Sequence, residues 1–173
     1  KLWEKKLQQP PGEVVYFLAF AEGHLSLVSS SAKKYHVAVF AAKDGKRKWA
    51  TSYPWKSDNH GGHMSRPAIV GNTLYVRPRA FELKTGLLLS RRMPHGSCGT
   101  YACTEHAVFY RSSTITVWDR QRGGVTRWHR LRPDCWLSTI PAGGMLLSPE
   151  GGGGCSCGSW METSIGFAPV GAK

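Results

Sequence analysis

Three segments of this chain are variants of one another. Val39-Phe40-Ala41-Ala42-Lys43-Asp44-Gly45, Ala80-Phe81-Glu82-Leu83-Lys84-Thr85-Gly86 and Val117-Trp118-Asp119-Arg120-Gln121-Arg122-Gly123 align without a gap. Each runs from an apolar strand end through an aromatic and a polar turn to a glycine. The glycines lie 41 residues apart (86 − 45) and then 37 apart (123 − 86). A period of this size belongs to solenoids and propellers, because a unit that short cannot bury its own apolar face and must stack on its neighbours. Locally the segment reads as a hairpin: one strand ends, the glycine supplies the positive φ of the turn, and the next strand leaves.

A second signal keeps the same period. Gly71-Asn72-Thr73-Leu74-Tyr75-Val76-Arg77 stacks on Glu105-His106-Ala107-Val108-Phe109-Tyr110-Arg111. Gly23-His24-Leu25-Ser26-Leu27-Val28 and Gly143-Gly144-Met145-Leu146-Leu147-Ser148 fall beneath them when their first glycines are aligned. Four turn-plus-strand units result, and the first three are each followed by the aromatic-to-glycine turn. The 173 residues include twenty glycines and ten prolines, with apolar runs of strand length between them. That length suffices for one packed core. No stretch sustains a helical period, and Pro10-Pro11 blocks the one charged run that could have. No apolar run reaches the ~18 residues of a membrane-crossing helix.

In the first repeat Gly45 is followed by Lys46-Arg47-Lys48-Trp49. Asp44-Gly45-Lys46-Arg47-Lys48-Trp49 resembles the repeat of the pyrroloquinoline-quinone-type β-propellers, whose blades carry an Ala-x-Asp-x-x-Thr-Gly-Lys-x-x-Trp signature. Leu83-Lys84-Thr85-Gly86 is a second match and Arg122-Gly123-Gly124 a weaker one, so the resemblance spans the chain at repeat level. It implies an all-β fold, a partial β-propeller of about four blades built from four-stranded antiparallel units. The blades are expected at 1–53, 67–91, 99–129 and 137–173. Strands are expected at 14–20, 25–29, 67–70, 73–78, 106–112, 115–119, 137–141 and 144–148. Residues 36–40 and 48–53 complete the first blade, and 80–82 and 87–90 supply the outer pair of the second. Helix is expected below ~10% of residues. Trp3 reads as the counterpart of Trp49, 46 residues on (49 − 3), so the chain is expected to open inside a repeat, as the C-terminal part of a longer propeller. Cys98-Gly99-Thr100, Asp134-Cys135-Trp136, Pro141-Ala142-Gly143-Gly144 and Gly154-Cys155-Ser156-Cys157 with Thr163-Ser164 look like the cysteine-bearing propellers of planctomycete-type bacteria.

The five cysteines divide by position. Cys103 falls at the start of a strand and reads as a small buried hydrophobe. In a four-stranded blade, the loop entering the first strand and the loop joining the second and third lie on one face. Cys98 and Cys135 belong to loops of the first kind, as do His60 and His63, while Cys155 and Cys157 belong to the second kind. These residues can therefore meet. One reading is structural disulfides in an exported protein, most simply Cys135 with Cys155 or Cys157, with Cys98 a further candidate and Cys103 left over. The other is a thiolate metal site at Cys98, Cys135, Cys155 and Cys157, with or without His63, suited to zinc or iron. No CxxC, CxxCH or HxxxH spacing accompanies it.

The formal net charge of +12 favours anionic partners, yet the basic residues are scattered through turns and no nucleic-acid module motif accompanies them. Eleven acidic residues fall mostly in turns, and no pair stands out as an acid and a base. Trp136 and Trp160 could stack on a ligand, although propellers use tryptophan to pack blades together. The reading that results is a non-catalytic binding or scaffold module of an exported bacterial protein, periplasmic or at the cell surface. Its expected partners are other blades or domains of the parent protein, or a protein or anionic polymer. The alternative implied by the resemblance is part of a quinoprotein dehydrogenase, an oxidoreductase binding pyrroloquinoline quinone with calcium, its site completed by missing blades.

Overall fold

The computed structural model describes residues 1–6, 17–31, 34–54, 66–94, 96, 98–131, 133, 139–149 and 164–171. Among them are fourteen strands and no helix. The first sheet, in order β1-β2-β3-β4, holds β1 (Phe17–Ala21), β2 (His24–Ser31), β3 (Lys34–Ala41) and β4 (Arg47–Pro54). The second is β5-β6-β7: Ala68–Val70, Thr73–Val76 and Arg79–Glu82. The third is β8 (Ala102–Cys103), β9 (Ala107–Ser112), β10 (Thr114–Asp119) and β11 (Val125–Trp128), in chain order. The fourth is β12-β13-β14: Ile140–Ala142, Met145–Ser148 and Ile165–Phe167. Every pairing is antiparallel between neighbours in sequence. The first two sheets form one compact unit and the last two another.

The aromatic-to-glycine turn is the same object three times. Gly45, Gly86 and Gly123 have φ of 67°, 78° and 80°, a region that side chains beyond glycine enter at a cost. Their N–H groups donate to the carbonyls of Ala41, Glu82 and Asp119, each at 2.9 Å. The amides of Ala41, Glu82 and Asp119 in turn bond Lys46, Leu87 and Gly124. One position further on, Ala42, Leu83 and Arg120 donate to Gly23, Asn72 and His106 in the neighbouring hairpin turn.

That last set corrects the stacking of the second signal by one residue. Gly23 is equivalent to Asn72 and His106, and the partner of Gly71 and Gly143 is Glu22. In two of these hairpin turns both central residues have positive φ, Glu22 and Gly23 at 51° and 69° and Gly143 and Gly144 at 57° and 74°, while in the turn before β6 Gly71 alone does, at 53°. Glycine can stand at either position or at both, so aligning the first glycines slipped one repeat against the rest.

Side-chain alternation then sets the core. Phe17, Val28, Val37, Val39, Trp49 and Tyr53 share one face of the first sheet and pack on Ile69, Leu74, Val76, Phe81 and Leu83 of the second. A bulge between Val39 and Phe40 leaves Lys48 unpaired, so Trp49 rather than Lys48 sits opposite Val39. In the other unit Val108, Tyr110, Ile115, Trp118 and Leu146 are buried.

The outer pair of the second sheet is thinner than its sequence suggests. Residues 87–90 make one isolated bridge, Phe81 to Leu88, with Leu89 N–H donating to Ala80 at 2.9 Å. Ser90 stands where the first repeat has Trp49, and without that anchor the segment has little to pack. The strand expected at 73–78 stops at Val76, because Pro78 has no N–H for the ladder. Residues 14–16 and 137–138, the starts of two expected strands, lie outside the described residues.

Candidate interaction surface

Three tryptophans, Trp3, Trp49 and Trp128, pack on segments that follow them in the chain. Trp49 lies on the Gly86 turn and donates its indole N–H to Leu83 at 2.7 Å, with its ring 5.7 Å from Phe81. Trp3 does the same one repeat earlier, lying on Gly45 and donating to Ala42 at 2.6 Å. Beside it the Lys5 ammonium donates to Gly45 at 3.2 Å and stands over the Phe40 ring. In the second unit Trp128 stacks on Phe167 at 5.6 Å. Phe167 pairs with Leu146 as Phe81 pairs with Leu74, so the last sheet keeps the aromatic of the repeat. The sequence reading missed it because Gly171 follows Phe167 by four residues, where the other repeats have five. Tyr53 ties the first sheet to the second, its hydroxyl donating to Val76 at 3.0 Å. Burial pushes that phenol well above the usual tyrosine range, with Tyr35 adding to the effect and the nearby Arg79 guanidinium opposing it.

The turn carboxylates are also engaged. Asp44 accepts from the Lys46 amide at 3.0 Å, and Glu82 accepts from Asn72 and Thr85. Asp119 accepts from the amides of Gln121 and Arg122, each at 2.8 Å. The Arg122 amide, with that of Gln121, holds this exposed carboxyl below the usual aspartate range despite partial desolvation. Trp136 and Trp160 lie outside the described residues.

Of the cysteine cluster, Cys135, Cys155, Cys157, His60 and His63 lie outside the described residues. Cys98 and Cys103 are free thiols, both half-buried. Cys103 ends the two-residue strand β8, and burial pushes its thiol up to about 12, with the Arg120 guanidinium pulling the other way. Thiolate is the reactive form, so Cys103 in the folded chain is expected to resist iodoacetamide at pH 8 while the unfolded chain is modified. Mass spectrometry of the alkylated peptides reads the difference, and equal labelling in both states would contradict the burial. Among the described residues no three His, Cys, Asp or Glu side chains gather as a metal site.

Two arginines emerge that composition did not single out. Arg77 and Arg111 hold the same repeat position, five residues past Asn72 and His106, and both are buried. The signal was present in the stacked sequences, where the two fall in one column, but charge alone assigns such residues to the surface.

The exposed charge gathers elsewhere. Residues 121–130 are exposed without a break, and they carry Arg122, Arg127, His129 and Arg130 with no carboxylate. Within them β11 is the end strand of its sheet and pairs only with β10 among the described residues. Its outer edge therefore presents backbone donors and acceptors beside a row of cations. Sequence reading placed Arg122-Gly123-Gly124 in a turn and treated the basic residues as scattered. Consecutive exposure comes from β11 lying at a sheet end, which no local pattern states.

No protein-family model matches the chain, and no curated protein matches it. Among solved structures it is similar to BamB from Moraxella catarrhalis, at TM-score 0.51 and 13% identity over 75% of this chain and 40% of that one. It is similar also to the computationally designed Ika8 protein, at TM-score 0.51 and 15% identity over 88% of this chain and 45% of that one. These neighbours are β-propellers. The chain has the β-propeller fold. A quinohemoprotein alcohol dehydrogenase from Pseudomonas putida HK5 matches at TM-score 0.45 and 16% identity, over 76% of this chain and 27% of that one. The chain spans less than half the length of each of these proteins. Its four sheets are propeller blades, and the contacts of Trp49 and Trp128 described above run from one blade to the next within each unit. No helix among the described residues is long and apolar enough to cross a membrane.

Proposed function

We propose that this chain is a non-catalytic binding or scaffold module of an exported bacterial protein, and that it takes an acidic protein partner along β11. The observation that carries the reading is the exposed stretch 121–130, with three arginines, a histidine and an open strand edge. An extended acidic segment could add to that edge through backbone hydrogen bonds while its carboxylates meet Arg122, Arg127 and Arg130. The turn carboxylates Asp44, Glu82 and Asp119 are each held by hydrogen bonds within their own turns, which supports the non-catalytic reading. Other blades or domains of a parent protein are a second class of partner. Periplasmic or cell-surface location is proposed together with a disulfide from Cys135 to Cys155 or Cys157, which peptide mapping without reductant would read.

The test is titration with a fluorescent polyglutamate peptide. Affinity is expected to fall at least about tenfold between ~0.1 M and ~1 M salt, as the screening length shrinks from about 10 to about 3 Å. Arg127→Glu with Arg130→Glu is expected to weaken binding by a further factor of about ten at the lower salt. Salt-independent binding, or binding untouched by the double substitution, overturns the reading. So does reduction of an artificial electron acceptor by the chain supplied with pyrroloquinoline quinone, calcium and an alcohol or sugar.

A further inference from the structure

The open edge of β11 has a defined register. The Asp119 N–H donates to Gly124 at 2.8 Å, and two residues along the ladder Val117 pairs with Thr126. In an antiparallel ladder successive residues point their backbone groups to opposite sides. Gly124 and Thr126 thus turn theirs toward β10, while Val125 and Arg127 turn theirs to the open edge. A strand added there forms its hydrogen-bonded pairs at Val125 and Arg127, and at Thr126 and Trp128 the side chains of the two strands come closest. The contact between the third and fourth blades, Trp128 on Phe167, runs through a sheet face and leaves this edge unpaired among the described residues.

Side chains alternate as well. Val125, 38% exposed, shares one face with Arg127, and Thr126 shares the other with Trp128, 37% exposed. His129 and Arg130 follow, both exposed. The edge is therefore not uniformly basic. Read back from Arg130, it offers two basic side chains, an indole, a guanidinium, a threonine and a valine. A wholly acidic strand would set carboxylates against Trp128 and Val125, where they lose hydration and gain no partner.

Resting on the acidic-partner reading above, we propose that the partner is an antiparallel strand of mixed character: an aromatic residue opposite Trp128, a carboxylate opposite Arg127, a β-branched residue opposite Thr126 and an apolar one opposite Val125. Because the added strand runs the other way, that is also its order from N- to C-terminus, with acidic residues ahead of it to meet His129 and Arg130. Antiparallel addition continues the pairing found in every sheet. Backbone hydrogen bonds hold the strand, and the alternating side chains select it. The carboxylate meets the Arg127 guanidinium, the aromatic meets the exposed part of the Trp128 indole, and the β-branched and apolar residues pair across the strands with Thr126 and Val125.

Fluorescent peptides of one composition and charge test the order. Glu-Glu-Tyr-Glu-Thr-Val is expected to bind at least about tenfold more tightly than Glu-Glu-Glu-Tyr-Thr-Val or the reversed sequence Val-Thr-Glu-Tyr-Glu-Glu. Methylating the backbone nitrogen of the glutamate opposite Arg127 removes a hydrogen bond to the edge and is expected to weaken binding about tenfold. Methylating the next residue, opposite Thr126, is expected to leave affinity unchanged, because its N–H points away from β11. If the exchanged or reversed peptide, or polyglutamate, binds as tightly as the ordered one, the proposal is overturned and the acidic-partner reading stands, since charge alone then does the binding. Equal effects of the two methylations also overturn the proposal, because the peptide is then not added in this register. Absence of binding by all of these peptides, polyglutamate included, overturns both.

Discussion

Trp49→Ala is expected to destabilise the protein by about 3 kcal/mol, near the lower end of the range for removing a packed aromatic because the ring is half-buried. The substitution removes the indole N–H that satisfies the Leu83 carbonyl, the cover over Gly86 and the contact with Phe81. Trp49→Phe keeps much of the packing and loses the hydrogen bond, and is expected to cost about 1 to 2 kcal/mol. Denaturant titration followed by circular dichroism measures both. A loss under about 1 kcal/mol for the alanine variant would mean that this tryptophan does not hold the first two blades together.

Gly86→Ala is expected to cost about 3 kcal/mol, where Gly123→Ala costs about 1 kcal/mol. The two glycines have nearly the same φ, 78° and 80°, and so share the strain of placing a side chain in a left-handed turn. They differ in what the new methyl meets. At Gly86 a Cβ would lie 2.6 Å from the Trp49 ring, and at Gly123 it would find nothing within 4 Å. The difference between the variants therefore isolates the overlap with the indole. In a Trp49→Ala background the cost at Gly86 should fall to that at Gly123, because the group it collides with is gone. Equal costs for the two glycines in the unmodified chain would show that the turn conformation alone requires glycine and that the tryptophan yields freely.

These effects divide along the line between what is local and what is not. The three aromatic-to-glycine turns were legible because their hydrogen bonds close between residues four and five apart. A turn whose glycine must have positive φ leaves its mark on a seven-residue segment wherever it recurs. Trp49 itself was legible for a related reason, since its spacing from Gly45 recurs in a known repeat, whereas its seat on the Gly86 turn came from the structure. The offset between Gly23 and Gly71 was not legible, because either residue of the hairpin turn accepts glycine and Glu22 occupies one of them without it. That one-residue slip matters, since it exchanges the two faces of a strand. The outer strand expected at 87–90 failed for a similar reason, as three leucines suit a strand but only a partner to pack on would make them one.

By itself the sequence determined the all-β class, the repeat, the turn glycines and the place of Trp49 in the repeat signature, each written within one short segment. Only the tertiary structure decided which faces meet and which stay open. It placed Phe167 under Trp128, buried Arg77 and Arg111, exposed the charge of 121–130 on and beside one edge strand and left Leu18 and Phe20 uncovered. The reason is physical: a turn is specified by the torsions and hydrogen bonds of a few consecutive residues, whereas burial depends on which distant strand lies opposite, and the register of that meeting is set by the packing of whole sheets.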